Sequence, residues 1–388
     1  PPPPPFFFQP PPAKPHPLWS RGLGDVYKRQ SIQRIKSKYR LWQTMAFLSV
    51  LDQSPIRAGA SPADAVADTL QLAERADQLG YKRYWLAEHH SSKGLAGASP
   101  EILIPQLAGR TTGIRVGSGG IMLSHYSPLK VAEAFRMIET LYPGRIDLGI
   151  GRAPGSDQLT NQALQTGPGS LGPEHYPVKV RDMMGYLAGN LPEDHPFCNV
   201  EAMPAGKTIP EVWMLGASDQ SASLAAYFGL PFSFAHFIVS EGGPEAVKAY
   251  REHFRPSASW PNPIVNIGVF VIAAETEEAA ERLMKCRDLS SVRQRTGRAG
   301  PVPSFEEAET YVYSRQEESL RRFNRQRCIW GTKDQVKEGL LSLGEIYDVD
   351  EFVILTICPT LETRCRSYEL LAEAFELKPR QSSACAAE

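Results

Sequence analysis

Eight short apolar segments, separated by longer stretches with the periodicity of amphipathic helices, constrain this fold more than any other feature of the sequence. Strands that alternate with helices predict a parallel sheet, either an open doubly wound sheet or a closed barrel. The count of eight favours closure, so we predict an α/β protein, a single-domain (β/α)₈ TIM barrel with insertions. The predicted strands are Phe47–Leu51, Arg83–Ala87, Ile114–Ile121, Ile146–Ile150, Glu211–Leu215, Phe232–His236, Ile264–Ile272 and Phe352–Thr356.

Several helix ends are marked in the sequence. Ser61 followed by Pro62 is typical of a helix start, and Gly80 is typical of a helix end. The pair Ser127-Pro128 predicts a second helix start. These boundaries place the helices between the apolar segments, as a barrel requires.

The domain boundaries follow from composition. Residues 1–44 combine proline and phenylalanine runs with a basic stretch that has no helix or strand period, so we interpret them as a disordered leader or a start-site artefact before Met45. Residues 45–378 would form the barrel domain, and residues 379–388 a flexible tail. Two gaps, Ala153 to Pro210 and Ala273 to Asp350, are too long for simple crossovers. Insertions of this length usually shape an active site or an interface.

Charge and cysteine content exclude several classes of protein. The net charge of −1 argues against a nucleic-acid partner and against an anionic membrane surface. No apolar run is long enough to span a membrane. The six cysteines contain no C-x-x-C pair, which disfavours a zinc site or a disulfide framework and fits a reducing cytoplasm.

The second apolar segment runs directly into Glu88, His89 and His90. In a parallel barrel the catalytic groups lie at the carboxyl ends of the strands, so this cluster is a candidate for proton transfer. A cap or a structural hydrogen bond is the alternative for either histidine. A metal site is disfavoured, because adjacent histidines on an extended chain point to opposite sides.

Paired glycines mark the end of the third segment. Gly119-Gly120 predicts either a bulge or a strained, cis peptide bond where a ring system rests against backbone. Neither Gly117-x-Gly119 nor Gly149-x-Gly151 is followed by the third glycine of a dinucleotide fingerprint. A Rossmann-type NAD site is therefore disfavoured.

The fifth segment turns through Ala217, Ser218 and Ser221 into a helix. Unpaired N–H groups and the positive end of the helix dipole favour a phosphate there, although a plain N-cap is the alternative. Arg152, at a neighbouring strand end, adds a guanidinium group and favours the phosphate site. No Walker A lysine is present, which disfavours a nucleoside triphosphatase.

Five motifs together resemble the bacterial luciferase-like, flavin-dependent monooxygenases, and the resemblance extends from about Phe47 to Phe375. The motifs occur in the expected order: LSVLDQSP (48–55), YWLAEHH (84–90), VGSGGIML (116–123), PGRIDLGIGRAPG (143–155) and VWMLGAS (212–218).

The resemblance implies roles for seven residues. His89 would assist the chemistry at the flavin ring, and Gly119-Gly120 would hold a non-proline cis peptide behind the isoalloxazine. The flavin phosphate would be bound by Arg152, Ala217, Ser218 and Ser221. One position departs from luciferase, whose reactive cysteine before the arginine is replaced by Gly151. Light emission and the aldehyde substrate of luciferase are therefore not implied.

The implied activity is an FMN-dependent monooxygenation that uses reduced flavin (FMNH₂) and O₂ to oxygenate a small organic substrate. Two alternatives stay open: a dehydrogenase dependent on the deazaflavin F420, and a catalytically silent flavin-binding protein. Because no dinucleotide fingerprint is complete, we expect a separate NAD(P)H:flavin reductase as partner. The resemblance also implies a homodimer.

Overall fold

The computed structural model describes residues 46–152, 157–165 and 172–380 of the 388-residue chain. The predicted leader, residues 1–44, lies outside the described residues, as do residues 381–388 of the predicted tail. At the start of that tail the Arg380 guanidinium donates a hydrogen bond to the Asp77 carboxylate at 3.0 Å.

Within the described residues, parallel strands form one sheet that closes on itself. The strands are β1 (Phe47–Asp52), β2 (Arg83–Leu86), β3 (Arg115–Met122), β4 (Ile146–Gly151), β5 (Glu211–Gly216), β6 (Phe232–Ala235), β7 (Val265–Ala274), β8 (Cys328–Thr332) and β9 (Glu351–Leu355). The barrel runs from β1 through β6 to β7, and β9 closes it between β7 and β1. The predicted closed barrel is confirmed, and every predicted strand matches a barrel strand to within two residues.

Strand β8 is the one barrel-associated strand that the sequence does not predict. It lies in the second insertion and pairs with Phe270–Ala274, the carboxyl-terminal half of β7. The amino-terminal half of β7 pairs with β6 and β9. Strand β8 therefore extends the barrel wall beyond the ring of eight.

Helices surround the barrel. In chain order they are α1 (Pro62–Leu79), α2 (Pro100–Arg110), α3 (Pro128–Leu141), α4 (Gln158–Leu164), α5 (Tyr176–Ala188), α6 (Asp219–Phe228), α7 (Gly243–His253), α8 (Glu277–Arg295), α9 (Phe305–Thr310), α10 (Arg315–Arg325), α11 (Lys333–Tyr347) and α12 (Leu361–Ala374). Helix α4 belongs to the first insertion and α8 to α10 belong to the second. In the part of the chain that the structure describes, no helix combines the length and hydropathy that crossing a bilayer requires.

The predicted helix ends are confirmed at α1. The Ser61 hydroxyl accepts a hydrogen bond from the Asp64 N–H at 3.2 Å, and the Asp64 carboxylate accepts one from the Ser61 N–H at 2.8 Å. Gly80 ends the helix with φ +91°, a left-handed conformation that glycine adopts without steric cost. Such caps satisfy backbone groups that the helix itself leaves unpaired.

A buried ionic network occupies the amino-terminal end of the barrel. Arg83 on β2 donates to Asp147 on β4 at 2.8 Å and to Glu351 on β9 at 2.9 Å. Arg115 on β3 binds the same Asp147 at 2.7 Å. Burial by itself would raise the pKa of Glu351, but the charges of Arg83 and Lys82 outweigh it and hold that pKa below its ordinary value.

An apolar layer separates this network from the other end of the barrel. The buried side chains of Leu51, Trp85, Trp213 and Val353 pack together there. The indole N–H of Trp85 donates to Asp147 at 2.8 Å, which joins the layer to the network below it. The layer therefore forms a water-excluding floor for anything that binds at the carboxyl ends of the strands.

Candidate active site

The carboxyl ends of the barrel strands surround a cavity of about 850 Å³, which we call the main cavity. Its volume falls within the range of small-molecule sites. Leu51, Trp85 and Val353 of the apolar layer form part of its wall. All seven site residues predicted from the sequence line this cavity: His89, Gly119, Gly120, Arg152, Ala217, Ser218 and Ser221. The structure thus brings together residues from four different strand ends.

His89 follows β2 and is held by its backbone, whose N–H donates to the Gly97 carbonyl at 2.8 Å. Its ring nitrogen Nδ1 is buried and has no hydrogen-bond partner among the described residues. Burial, and to a lesser extent the nearby His90, lower the pKa of His89 to about 4. The imidazole is therefore neutral at pH 7, with one nitrogen free to bond to a ligand.

His90 differs from its neighbour in having its partners within the chain. Its Nε2 lies 2.6 Å from Glu88 Oε1, and the Tyr126 hydroxyl donates to the same oxygen at 2.5 Å. The other Glu88 oxygen accepts from the Met122 N–H at 2.9 Å. These bonds tie the β2 loop to the end of β3. Because His90 does not line the main cavity, the geometry favours His89 for contact with a ligand.

The Gly119-Gly120 pair shows both features that the sequence suggested. The peptide bond between the two residues is cis, and the pairing of β3 with β4 shifts register beside it. A Cβ on Gly119 would lie 2.7 Å from a Leu51 methyl carbon, and a Cβ on Gly120 would lie 2.6 Å from the Gly149 carbonyl oxygen. Side chains do not fit here, so bare backbone forms this part of the cavity wall.

A cluster of donors lies where β4 and β5 end. The Arg152 guanidinium donates to the Gln220 side chain in the first turn of α6. Ser218 caps that helix by accepting from the Ser221 N–H at 3.3 Å, and the two serine hydroxyls lie 3.1 Å apart. Among the described residues Arg152 pairs with no carboxylate. A guanidinium, two hydroxyls and a helix N-terminus together suit a phosphate.

A second cavity of about 350 Å³, which we call the side cavity, adjoins the main one. Four residues border both: Gln53, His89, Phe237 and Ile238. The remaining lining comes mostly from the second insertion and includes Phe270, Arg287, Ser290, Ser291, Gln294, Arg295, Arg327 and Ile357. The length of the insertions predicts that they shape the site, but no motif in the sequence marks these eight residues.

Comparisons with known proteins agree with this geometry. A model of the luciferase-like monooxygenase family matches residues 45–348. The N-acetyl-S-alkylcysteine monooxygenase of Bacillus subtilis (strain 168) is 37% identical over 332 residues, which cover 85% of this chain and 98% of that protein.

Solved structures also resemble this chain. Apo-MsnO8 is similar with a TM-score of 0.78 and 36% identity over 87% of this chain and 100% of the other. The oxygenating constituent of the Pseudomonas putida 3,6-diketocamphane monooxygenase, solved with FMN, has a TM-score of 0.62 and 18% identity over 87% of this chain and 100% of the other. At that identity the second likeness shows the fold alone.

Proposed function

The chain belongs to the luciferase-like monooxygenase family, and on this premise we propose that it is an FMN-dependent monooxygenase. It would take reduced FMN and O₂ and transfer one oxygen atom to a small organic substrate. The observation that carries the proposal is the main cavity, where a cluster of donors suited to a phosphate, a bare backbone wall and a half-buried neutral histidine line one space.

The residues present fit FMN. Arg152, Ser218 and the N-terminus of α6 would hold its single phosphate. Side chains at Gly119 and Gly120 would collide with neighbouring protein atoms, so the cavity wall there is bare backbone, against which a flat ring could rest. The apolar floor suits the hydrophobic part of the ring system.

When bound, the reduced flavin supplies the activation of O₂. The protein provides the surroundings for that chemistry. The apolar layer excludes water from the floor of the cavity. The neutral His89, with Nδ1 unpaired among the described residues, would hold or move one proton at that nitrogen.

The phosphate site is tested by the substitution Arg152→Ala. Loss of one charge-assisted hydrogen bond is expected to weaken FMN binding by about ten- to hundredfold, and riboflavin, which lacks the phosphate, should bind as before. The matched control is Arg181→Ala, at a side chain that is 54% exposed and pairs with Asp182. Equal losses for FMN and riboflavin would contradict the assignment.

The choice of flavin is tested by spectral titration of the wild-type protein. FMN should bind, and product formation should require O₂. Tight binding of a deazaflavin together with hydride exchange in the absence of O₂ would instead establish the dehydrogenase. Flavin binding with no turnover of any substrate would favour the catalytically silent protein.

The source of reduced flavin forms part of the proposal. We propose that a separate NAD(P)H:flavin reductase supplies it in the cytoplasm, and that the chain forms a homodimer. In air, with oxidised FMN and NADH or NADPH, this protein alone should oxidise the nicotinamide slowly, and an added reductase should accelerate the reaction. Rapid oxidation by this protein alone would overturn the two-component scheme. Light scattering tests the dimer.

A further inference from the structure

The side cavity is lined by arginines that form no ion pair with a carboxylate in the described part of the chain. Arg287, Arg295 and Arg327 line it, and among the described residues no aspartate or glutamate does. Arg287 is 5% exposed and Arg327 is 7% exposed. Buried charges in proteins are normally paired with an opposite charge, because leaving water is costly.

The contacts of the two buried guanidinium groups are with neutral atoms. Arg287 donates to the Asn324 carbonyl at 3.5 Å, at the limit of a hydrogen bond. Arg327 donates to the Asn324 side-chain oxygen at 2.7 Å and to the Ile238 carbonyl. The Nε atoms of both arginines are buried without a partner in the described part of the chain. A guanidinium has five N–H donors, so after these contacts both side chains keep donors on their terminal nitrogens for a ligand.

The acidic residue that follows Arg287 on the same helix makes its ion pairs with other arginines. Asp288, next to Arg287 on α8, binds Arg325 at 2.6 Å and lies 3.9 Å from Arg321. Its carboxylate is not part of the side-cavity lining. The charge of Arg287 also acts on Asp288, but within the described residues no hydrogen bond or ion pair joins this carboxylate to Arg287 or Arg327.

The rest of the side cavity is apolar or neutral. Phe237 and Phe270 pack edge to face with ring centres 5.6 Å apart, and they form an aromatic wall. His89 and Phe237 border both cavities, so a molecule that fills the side cavity reaches the edge of the main one. This arrangement suits a molecule with an acidic group at one end and an apolar body at the other.

We propose that the side cavity is the substrate chamber and that the substrate is an organic acid, whose carboxylate is held by Arg287 and Arg327. The apolar body of the substrate would lie along Phe237 and Phe270, toward His89. This inference rests on the proposed function. A substrate in the side cavity would meet the flavin only if the flavin occupies the main cavity, which adjoins the side cavity at His89 and Phe237.

The test compares 4-phenylbutanoate with 4-phenylbutanamide, which have the same skeleton and differ in charge. Calorimetric titration of the wild-type protein should show at least about tenfold tighter binding of the acid. This comparison needs no variant and no turnover. An acid that binds no more tightly than the amide would overturn the proposal.

Variants then locate the anion site. Arg287→Gln and Arg327→Gln should each weaken the acid by about ten- to hundredfold and leave the amide unchanged, whereas Arg287→Lys should keep part of the preference. The control is Arg322→Gln, at a side chain that is 77% exposed on the neighbouring helix α10. Thermal melting establishes that each variant is folded. Retention of the full preference in both glutamine variants would contradict the assignment.

FMN and riboflavin titrations of the same samples separate this inference from the proposed function. If FMN binds but the acid binds no more tightly than the amide, the substrate proposal is wrong and the proposed function is unaffected. If the wild-type protein does not bind FMN, the proposed function is wrong, whether or not the acid binds more tightly than the amide. Weaker FMN binding with unchanged riboflavin binding in Arg287→Gln would mean that these arginines hold the flavin phosphate, which would overturn the chamber.

Discussion

The ionic network at the amino-terminal end of the barrel and the two cavities at its carboxyl-terminal end differ in how their buried polar groups are paired. At the amino-terminal end the Arg83 guanidinium is bonded to the carboxylates of Asp147 and Glu351. At the carboxyl-terminal end the Nδ1 atom of His89 and the Nε atoms of the side-cavity arginines lack partners among the described residues. Buried polar groups are nearly always satisfied, so groups left open point to a ligand. One scaffold therefore separates stability from binding along its axis.

The largest expected effect is on stability, at the amino-terminal end. Arg83→Met leaves two buried carboxylates without this partner, and we expect the free energy of unfolding to fall by about 3–5 kcal/mol. Urea denaturation measures it. Arg110→Met is the control, because Arg110 is 51% exposed and its pair with Glu74 should contribute about 1 kcal/mol or less. An unchanged free energy of unfolding in Arg83→Met would show that the ionic network at the amino-terminal end does not stabilise the fold.

At the carboxyl-terminal end of the barrel we expect a substitution to change activity and not stability. His89→Ala should lose about 10²–10⁴-fold in oxygen-dependent product formation, because it removes the acid–base group, and should keep its FMN affinity and its free energy of unfolding. Product formation with FMN and a reductase is the measurement. His90→Ala is the comparison variant, since His90 is bonded to Glu88 within the chain. Full activity in His89→Ala, with a loss only in His90→Ala, would move the role to His90.

The two ends should also differ in how their stability depends on pH. The pKa of His89 is about 4 in the folded chain, against an ordinary value of 6.5, so the unfolded chain binds more protons between these values. Stability should therefore fall as the pH drops from 6.5 to 4. His89→Ala should flatten this fall by up to about 1.4 kcal/mol for each unit of pKa difference.

The amino-terminal end should respond to more acidic solution. The pKa of Glu351 is lowered from 4.5, so its contribution is present above that value and is lost as the pH falls through the lower pKa of the folded chain. Urea denaturation at a series of pH values would show both windows. If the free energy of unfolding falls as steeply in His89→Ala as in the wild-type protein between pH 6.5 and 4, the lowered pKa of His89 is contradicted.

The barrel could be predicted because its strands are buried on both sides and appear as continuous apolar runs. Strand β8 escaped prediction for the opposite reason. It pairs only with β7, most of its residues are half-buried, and it lies in a charged insertion. Its apolar run, Cys328 to Trp330, is only three residues long and is too short to mark a strand.

The main cavity could be anticipated because its residues occur in short motifs at strand ends. The side cavity could not. Arg287, Ser290, Ser291 and Gln294 recur at the spacing of one helix face, which is a signal, but a polar face of a helix normally points to solvent. Only the packing of α8 against β7 and β8 turns this face inward, and that packing depends on contacts distant in sequence.

Strand β7 takes part in two structures, the ring of barrel strands and the second insertion. Its first half belongs to the ring that closes the barrel, and its second half anchors the insertion through β8. The chain leaves the barrel at β7 and returns to the adjacent β9. Residues between these strands can therefore change in length and sequence without rebuilding the strands that close the ring.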